Sequence, residues 1–200
     1  MAVMNRIIVL AASAVLSACS GKAPDSSASA TAAATGEAPA PASSTAAVAL
    51  ASRYTPLSAC KLTKSAPDED WSVSRCPAVG GYLVDLNYGD ARDDLGIGRK
   101  GEKPVDLGLP TLGGGGFNTL GPAFEWRGRG EGDAFVPATL IVRDSVIEDS
   151  EKPERETALL AVVDLRQRCV TALVRPGPGQ NEQARAIADG PRHACMPLGG

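Results

Sequence analysis

Histidine is almost missing from this chain: His193 is the only one among 200 residues. A Ser-His-Asp triad would have to use that residue, close to the C-terminus and to Cys195, and no site needing two imidazoles can be built. Aromatic side chains are scarce, at 4%. No apolar run approaches the roughly 18 to 20 residues that cross a bilayer, which excludes a multi-spanning membrane protein. Basic residues form no block, and 20 Lys and Arg against 23 Asp and Glu leave a net charge of −3, so nucleic acid is not an expected partner. Arg99 with Lys100, and Arg127 with Arg129, make small basic spots that belong on solvated surface. C-x-x-C is absent as well, and with it the usual signature of a thiolate metal site; no metal and no cofactor is expected.

What is present begins at the N-terminus. Met1 to Arg6 carries a positive charge, Ile7 to Leu16 is apolar, and Ser17 and Ala18 are small, the pattern of an export signal too short to span. Leu16-Ser17-Ala18-Cys19 then resembles the lipobox of bacterial lipoproteins. That resemblance implies cleavage before Cys19, a diacylglycerol on its thiol and an acyl chain on its amine. More than one chain on one residue makes a stable anchor, since each buried CH₂ contributes about 0.8 kcal/mol. The membrane is thus the first expected partner. Ser20 stands where an Asp would imply retention in the inner membrane, so the resemblance favours the outer membrane of the cell envelope.

Residues 1–18 are accordingly expected to be removed and 19–48 to form a linker. From Ser20 to Val48 there is no aromatic residue and no Leu, Ile or Phe, so the segment cannot bury enough apolar surface to offset its ordering entropy. A flexible chain of that length spans roughly 30 Å, enough to lift a domain clear of lipid headgroups. The alanines here also inflate the overall hydrophobic content of 44%. Residues 49–200 remain, near the usual size of one domain.

Of the 5 cysteines, Cys19 is taken by lipid, which leaves Cys60, Cys76, Cys169 and Cys195. An even set in an exported chain reads as disulfides. We favour Cys60 with Cys76 and Cys169 with Cys195, because each pair closes a short local loop; the other connectivities stay open on sequence alone. Tyr82, Val84, Leu86 and Tyr88 alternate with Asp85 and Asn87, as in a half-buried strand. Trp71 with Val73, Phe124 with Trp126, and Ala138, Leu140 and Val142 repeat that period. Thr157 to Leu165 is more uniformly apolar than the other strands, the pattern of a central strand, and Arg166-Gln167-Arg168 turns it into the β-branched run Cys169 to Val174. One helix is predicted, capped by Asn181, running to Asp189 and ended by Gly190-Pro191. Gly113 to Pro122 is expected to be irregular, and all the aromatics, from Tyr54 to Phe135, to form the first half of the core. The predicted fold class is α+β: mainly antiparallel sheet, one C-terminal helix, two disulfides and long Gly-rich loops.

Several motifs fail on context. Gly96-Ile97-Gly98-Arg99-Lys100-Gly101 satisfies G-x-G-x-x-G, but Glu102-Lys103-Pro104 follows and opens no helix, so a plain glycine-rich loop is expected. Ser58-Ala59-Cys60-Lys61 satisfies S-x-x-K without the companion S-D-N and K-T-G elements of penicillin-recognising enzymes, and it encloses a disulfide cysteine. Asp68, Glu69 and Asp70, and Asp90, Asp93 and Asp94, lack EF-hand spacing and read as solvated turns. Tyr82 and Trp126 could form a ligand platform, but alternating strand aromatics usually fill a core.

The order Trp71 to Cys76, Pro77, Gly80-Gly81-Tyr82, Phe117 to Gly121, Glu125-Trp126-Arg127, Cys169, the Asn181 to Asp189 helix and Cys195 is similar to a family of small exported proteobacterial proteins. The likeness covers roughly Tyr54 to Cys195 and implies no activity, that family being uncharacterised. The functional expectation is a lipid-anchored envelope protein acting as a binding or accessory module for an envelope protein or ligand. Its expected contact loop runs from Gly113 to Gly121 and presents Phe117, Asn118 and Thr119. The alternatives are an envelope hydrolase using an Asp/Glu pair, or a purely structural or stress-related envelope protein.

Overall fold

The structure is a computed structural model and describes residues 50–198. The expected signal peptide, the expected lipidation site Cys19 and the expected linker lie outside the described residues. In chain order the elements are β1 (Ala51–Pro56), β2 (Lys61–Ala66), β3 (Trp71–Arg75), β4 (Tyr82–Gly89), β5 (Arg92–Arg99), β6 (Val105–Asp106), the single-turn helix α1 (Leu109–Leu112), β7 (Asn118–Arg129), β8 (Val136–Ile147), β9 (Glu156–Asp164), β10 (Cys169–Val174) and α2 (Gln180–Asp189). They build two five-stranded sheets, β1-β7-β8-β9-β10 and β2-β3-β4-β5-β6. Every strand pair is antiparallel. Among the described residues no helix is long and apolar enough to cross a membrane.

Two cores explain the layering. Between the sheets, Tyr82, Val84, Leu95 and Ile97 meet Phe124, Trp126, Leu140, Val142, Ala161 and Val163. Burial of a side chain as large as Phe124 or Trp126 contributes about 2 to 3 kcal/mol. On the opposite face of the first sheet, Ile141, Leu160, Val162 and Val174 pack against Ala184 of α2. The apolar centre of β9, Leu160 to Val163, therefore faces a sheet with its odd-numbered residues and a helix with its even-numbered ones.

The period-two strands form as expected, and so do the β9–β10 hairpin, the C-terminal helix and the α+β class. In the hairpin turn, Asp164 Oδ1 accepts the backbone amides of Arg166 and Gln167, both at 2.8 Å. The disulfides join Cys60 to Cys76 and Cys169 to Cys195. The first covers the crossing from one sheet to the other, since β1 and β2 belong to different sheets. The second holds the C-terminal tail along β10, where the Met196 amide donates to the Val170 carbonyl at 2.8 Å. Each closure stabilises by about 3 kcal/mol.

Several expectations are corrected. The irregular stretch ends earlier than Pro122, because Asn118 to Leu120 already pair with β8. Gly96 and Gly98 lie inside β5, not in a loop, and a Cβ on Gly98 would sit 3.1 Å from Pro104 Cα, so glycine there admits the returning chain. Asn181 does not cap α2: the cap is Gly179, and the Gln180 side-chain amide donates to the carbonyls of Ala158 and Val174 at 2.7 and 2.9 Å, tying the helix start to the sheet. Only half of the aromatics enter the core. Tyr82, Phe124, Trp126 and Phe135 are buried, whereas Tyr54, Trp71, Tyr88 and Phe117 are exposed: Trp71 and Tyr88 sit on β3 and the far end of β4, which bury little, Tyr54 on the edge strand β1 and Phe117 in the loop before β7.

Candidate functional site

The expected contact loop divides into two unlike parts. Phe117 is exposed, with the Arg92 guanidinium 5.2 Å from its ring centroid. Asn118, one residue on, is 4% exposed and points between the sheets. Its Oδ1 accepts the Asp93 amide at 3.1 Å, and its Nδ2 donates to the Asp93 carbonyl and to Asp144 Oδ1, each at 2.8 Å. Thr119 is exposed and paired with Ser145 of β8. Of the glycines ahead of it, Gly113 and Gly116 lie close against the end of β8, while Gly114 and Gly115 face open space. A Cβ on Gly116 would lie 2.0 Å from the Ile147 carbonyl oxygen, so that residue must be glycine.

Around Asn118 sits a cluster of carboxylates. Asp94 accepts the amides of Leu95, Gly108 and Leu109 at 2.8, 3.0 and 3.0 Å and thereby holds the start of α1, while Asp93 accepts the Leu120 amide at 2.9 Å. Both are strand residues of β5, not the solvated turn expected: Asp93 bonds across to β7 in the other sheet, and Asp94 holds the chain entering α1. Burial raises the pKa of both, against those amide bonds. Asp144 is fully buried, and its Oδ2 has no hydrogen-bond partner among the described residues. Burial pushes its carboxyl up to about 6; the Asn118 hydrogen bond opposes this, and the charges of Asp93 and Asp94 add to it. Among the described residues no group of three or more His, Cys, Asp or Glu is arranged to hold a metal ion.

A second ionic group faces α2. Arg185 donates through Nε to Glu125 Oε1 at 2.7 Å and through Nη2 to Glu125 Oε2 and the Tyr54 hydroxyl, each at 3.1 Å. Arg127 makes a forked pair with Asp189 and also donates to Ser52 Oγ at 2.6 Å, which in turn donates to Glu125 Oε1. Burial would raise the Glu125 pKa, but the hydrogen bonds from Arg185 and Ser52 outweigh it and hold the carboxyl below its usual range. Arg127 is thus part of a half-buried ionic network and not a solvated basic spot.

The remaining feature is a groove of about 500 Å³ beyond the C-terminal end of α2. Val162, Thr171, Ile187 and Ala188 line its floor; Arg99, Arg166, Arg192 and His193 line its rim, with the single carboxylate Asp164. Asp164 is already engaged, accepting the turn amides, the Gln167 side-chain amide at 3.1 Å and the Arg192 guanidinium at 3.2 Å. Arg99 lies 4.2 Å over the Tyr82 ring and donates to the hydroxyl of that tyrosine at 2.7 Å, so Tyr82 serves the core with its ring and the groove with its tip. Sequence reading missed this site, whose basic residues come from β5, the β9–β10 turn and the C-terminal tail. The other motifs stay apart from it: Ser58 lies in a turn beside the Cys60 disulfide, and Glu69 Oε2 accepts the Trp71 indole N–H at 3.0 Å.

Comparison with protein-family models, with curated proteins and with solved structures finds no match to this chain.

Proposed function

We propose that the chain is an exported protein of the bacterial cell envelope, anchored by lipid on Cys19 in the outer membrane, that works by binding through its disulfide-tied domain. The observation that carries this reading is the pairing of all the cysteines of the described residues, Cys60 with Cys76 and Cys169 with Cys195, as suits an oxidising compartment. The lipobox resemblance at Leu16 to Cys19 supports the anchor, and the segment 19–48 serves as its spacer. Binding is preferred to hydrolysis because the carboxylates that cluster, Asp93, Asp94 and Asp144, are tied to backbone amides and Asn118 between two sheets, whereas the open groove offers only Asp164, already engaged.

Expression of the full-length chain in a Gram-negative host tests the anchor. The wild-type protein should incorporate a fatty-acid label, partition into detergent and fractionate with the outer membrane, and Cys19→Ser should lose all three properties. A wild-type chain that remains unlabelled in the aqueous phase would sink the proposal.

A further inference from the structure

We propose that the groove between Arg99, Arg166 and Arg192 binds a small amphipathic anion, a carboxylate or phosphate group carried on an apolar body. This deepens the binding reading above but does not depend on the anchor. Three physical features point to that ligand class.

The first is an imbalance of charge. The chain as a whole is acidic, with a net charge of −3, yet three guanidiniums converge on one groove that contains a single carboxylate. Asp164 neutralises one of them, Arg192, and its other acceptor positions are filled by the turn amides and Gln167. Arg99 and Arg166 have no carboxylate partner among the described residues. Arg53, Arg129, Arg143 and Arg155 likewise have no carboxylate partner among the described residues, but none of them lines this groove; what sets Arg99 and Arg166 apart is that they share one opening with Arg192.

The second is preorganisation. Arg99 is held over the Tyr82 ring and hydrogen-bonded to its hydroxyl, which fixes the guanidinium plane while leaving other N–H groups to donate. A planar fork held in this way suits carboxylate or phosphate oxygens, which can accept two parallel hydrogen bonds. The third is the floor. Val162 and Ile187 continue the apolar contact between the sheet and α2 to the open end of the helix, so a ligand whose anionic head meets the rim can lay an apolar tail there. The volume of about 500 Å³ falls within the usual range for small-ligand sites.

The test uses the full-length chain with Cys19→Ser, purified with its disulfides intact, so that failure of the anchor and failure of the groove are read separately. Decanoate, decyl phosphate and decyltrimethylammonium are titrated in turn and followed by amide chemical shifts. The two anions should shift Thr171, Ile187 and Gly190, with the cation producing no such shift. The stronger of the two anions identifies the head group, free carboxylate or phosphate ester. Arg99→Gln with Arg166→Gln should weaken the anion by at least about tenfold. Both positions are exposed, and an unchanged thermal midpoint checks that the fold is retained. No shift with either anion at millimolar concentration, an equal shift with the cation, or undiminished affinity in the double variant would each overturn the proposal.

Discussion

Asp144 between the two sheets and Glu125 beneath α2 are both buried, and their protons respond in opposite directions. Asp144 is completely buried, with Asn118 the only donor to its carboxyl among the described residues, near Asp93 and Asp94, and that carboxyl is pushed up to about 6. Glu125 is 9% exposed yet its pKa falls, because Arg185 and Ser52 bond to its charged form. Burial penalises the charge in both places; what differs is whether a cation was buried with it. The seam between the sheets is stitched by amides and one asparagine, whereas the helix is clasped by arginine forks. The former seam is therefore uncharged when most favourable, and the latter charged.

The largest test of this contrast removes the asparagine. Asn118→Ala strands the Asp93 amide and carbonyl and the Asp144 carboxyl between the sheets, and should cost about 3 kcal/mol in urea unfolding of the disulfide-intact protein. Phe117→Ala, at the exposed neighbouring position, should change stability by less than about 0.5 kcal/mol. Equal losses at the two positions would dissolve the distinction.

Arg185→Ala removes the cation from the other group and leaves Glu125 without its fork. Because the Arg185 side chain is 36% exposed, the expected loss is about 1 to 2 kcal/mol and not the larger cost of a fully buried pair. The sign of its pH dependence follows from the lowered pKa. The Glu125 contribution is present above the ordinary glutamate range and is lost as pH falls through the folded value. The wild-type protein should lose this increment on acidification, and the variant should show a shallower acid limb.

Asp144→Asn gives a smaller effect than the loss of Asn118 or Arg185 and has the reverse sign. A carboxyl whose pKa is raised on folding supports the fold fully below its unfolded value, near about 4. That support is lost as pH rises through about 6. The asparagine variant keeps an acceptor for Asn118 and carries no charge, so it should be about 1 kcal/mol more stable than wild type at pH 7.5 and lack the slope between pH 4 and 6. A variant less stable than wild type at pH 7.5 would show that the ionised form is better accommodated than its burial implies.

These effects bear on how much of the molecule can be read from its sequence. The strands with one apolar face, β4 and β7 among them, show their period directly, and β9 declares itself central by six apolar residues in a row, from Ala158 to Val163. The cysteines pair as their spacing suggests because each bridge is local in the fold as well as in sequence. β2 and β5 were illegible for a physical reason: Lys61 to Ala66 is held mainly by its ladder to β3 and buries almost nothing, and Arg92 to Arg99 hides two aspartates and two glycines in a strand. Such residues look like a turn until their partners, the amides of Leu109 and Leu120 and the ring of Pro104, are in place. The groove was illegible for a related reason. Arg99, Arg166 and Arg192 share no local pattern, and only the hairpin, the tail and the Tyr82 ring bring them to one opening.

The Cys60–Cys76 bridge gains a mechanical meaning in the anchored form proposed above, because any pull between membrane and ligand reaches the domain through Ala51. β1 is an edge strand whose ladder begins at the Ala51–Gly128 pair, so traction there peels it from β7 one pair at a time toward Pro56–Ala123. Peeling stops at Cys60, where the sulfur bridge transfers the load to the end of β3 in the other sheet. The domain can thus yield a short length of slack and then resist, a fuse at its point of suspension with a covalent stop behind it.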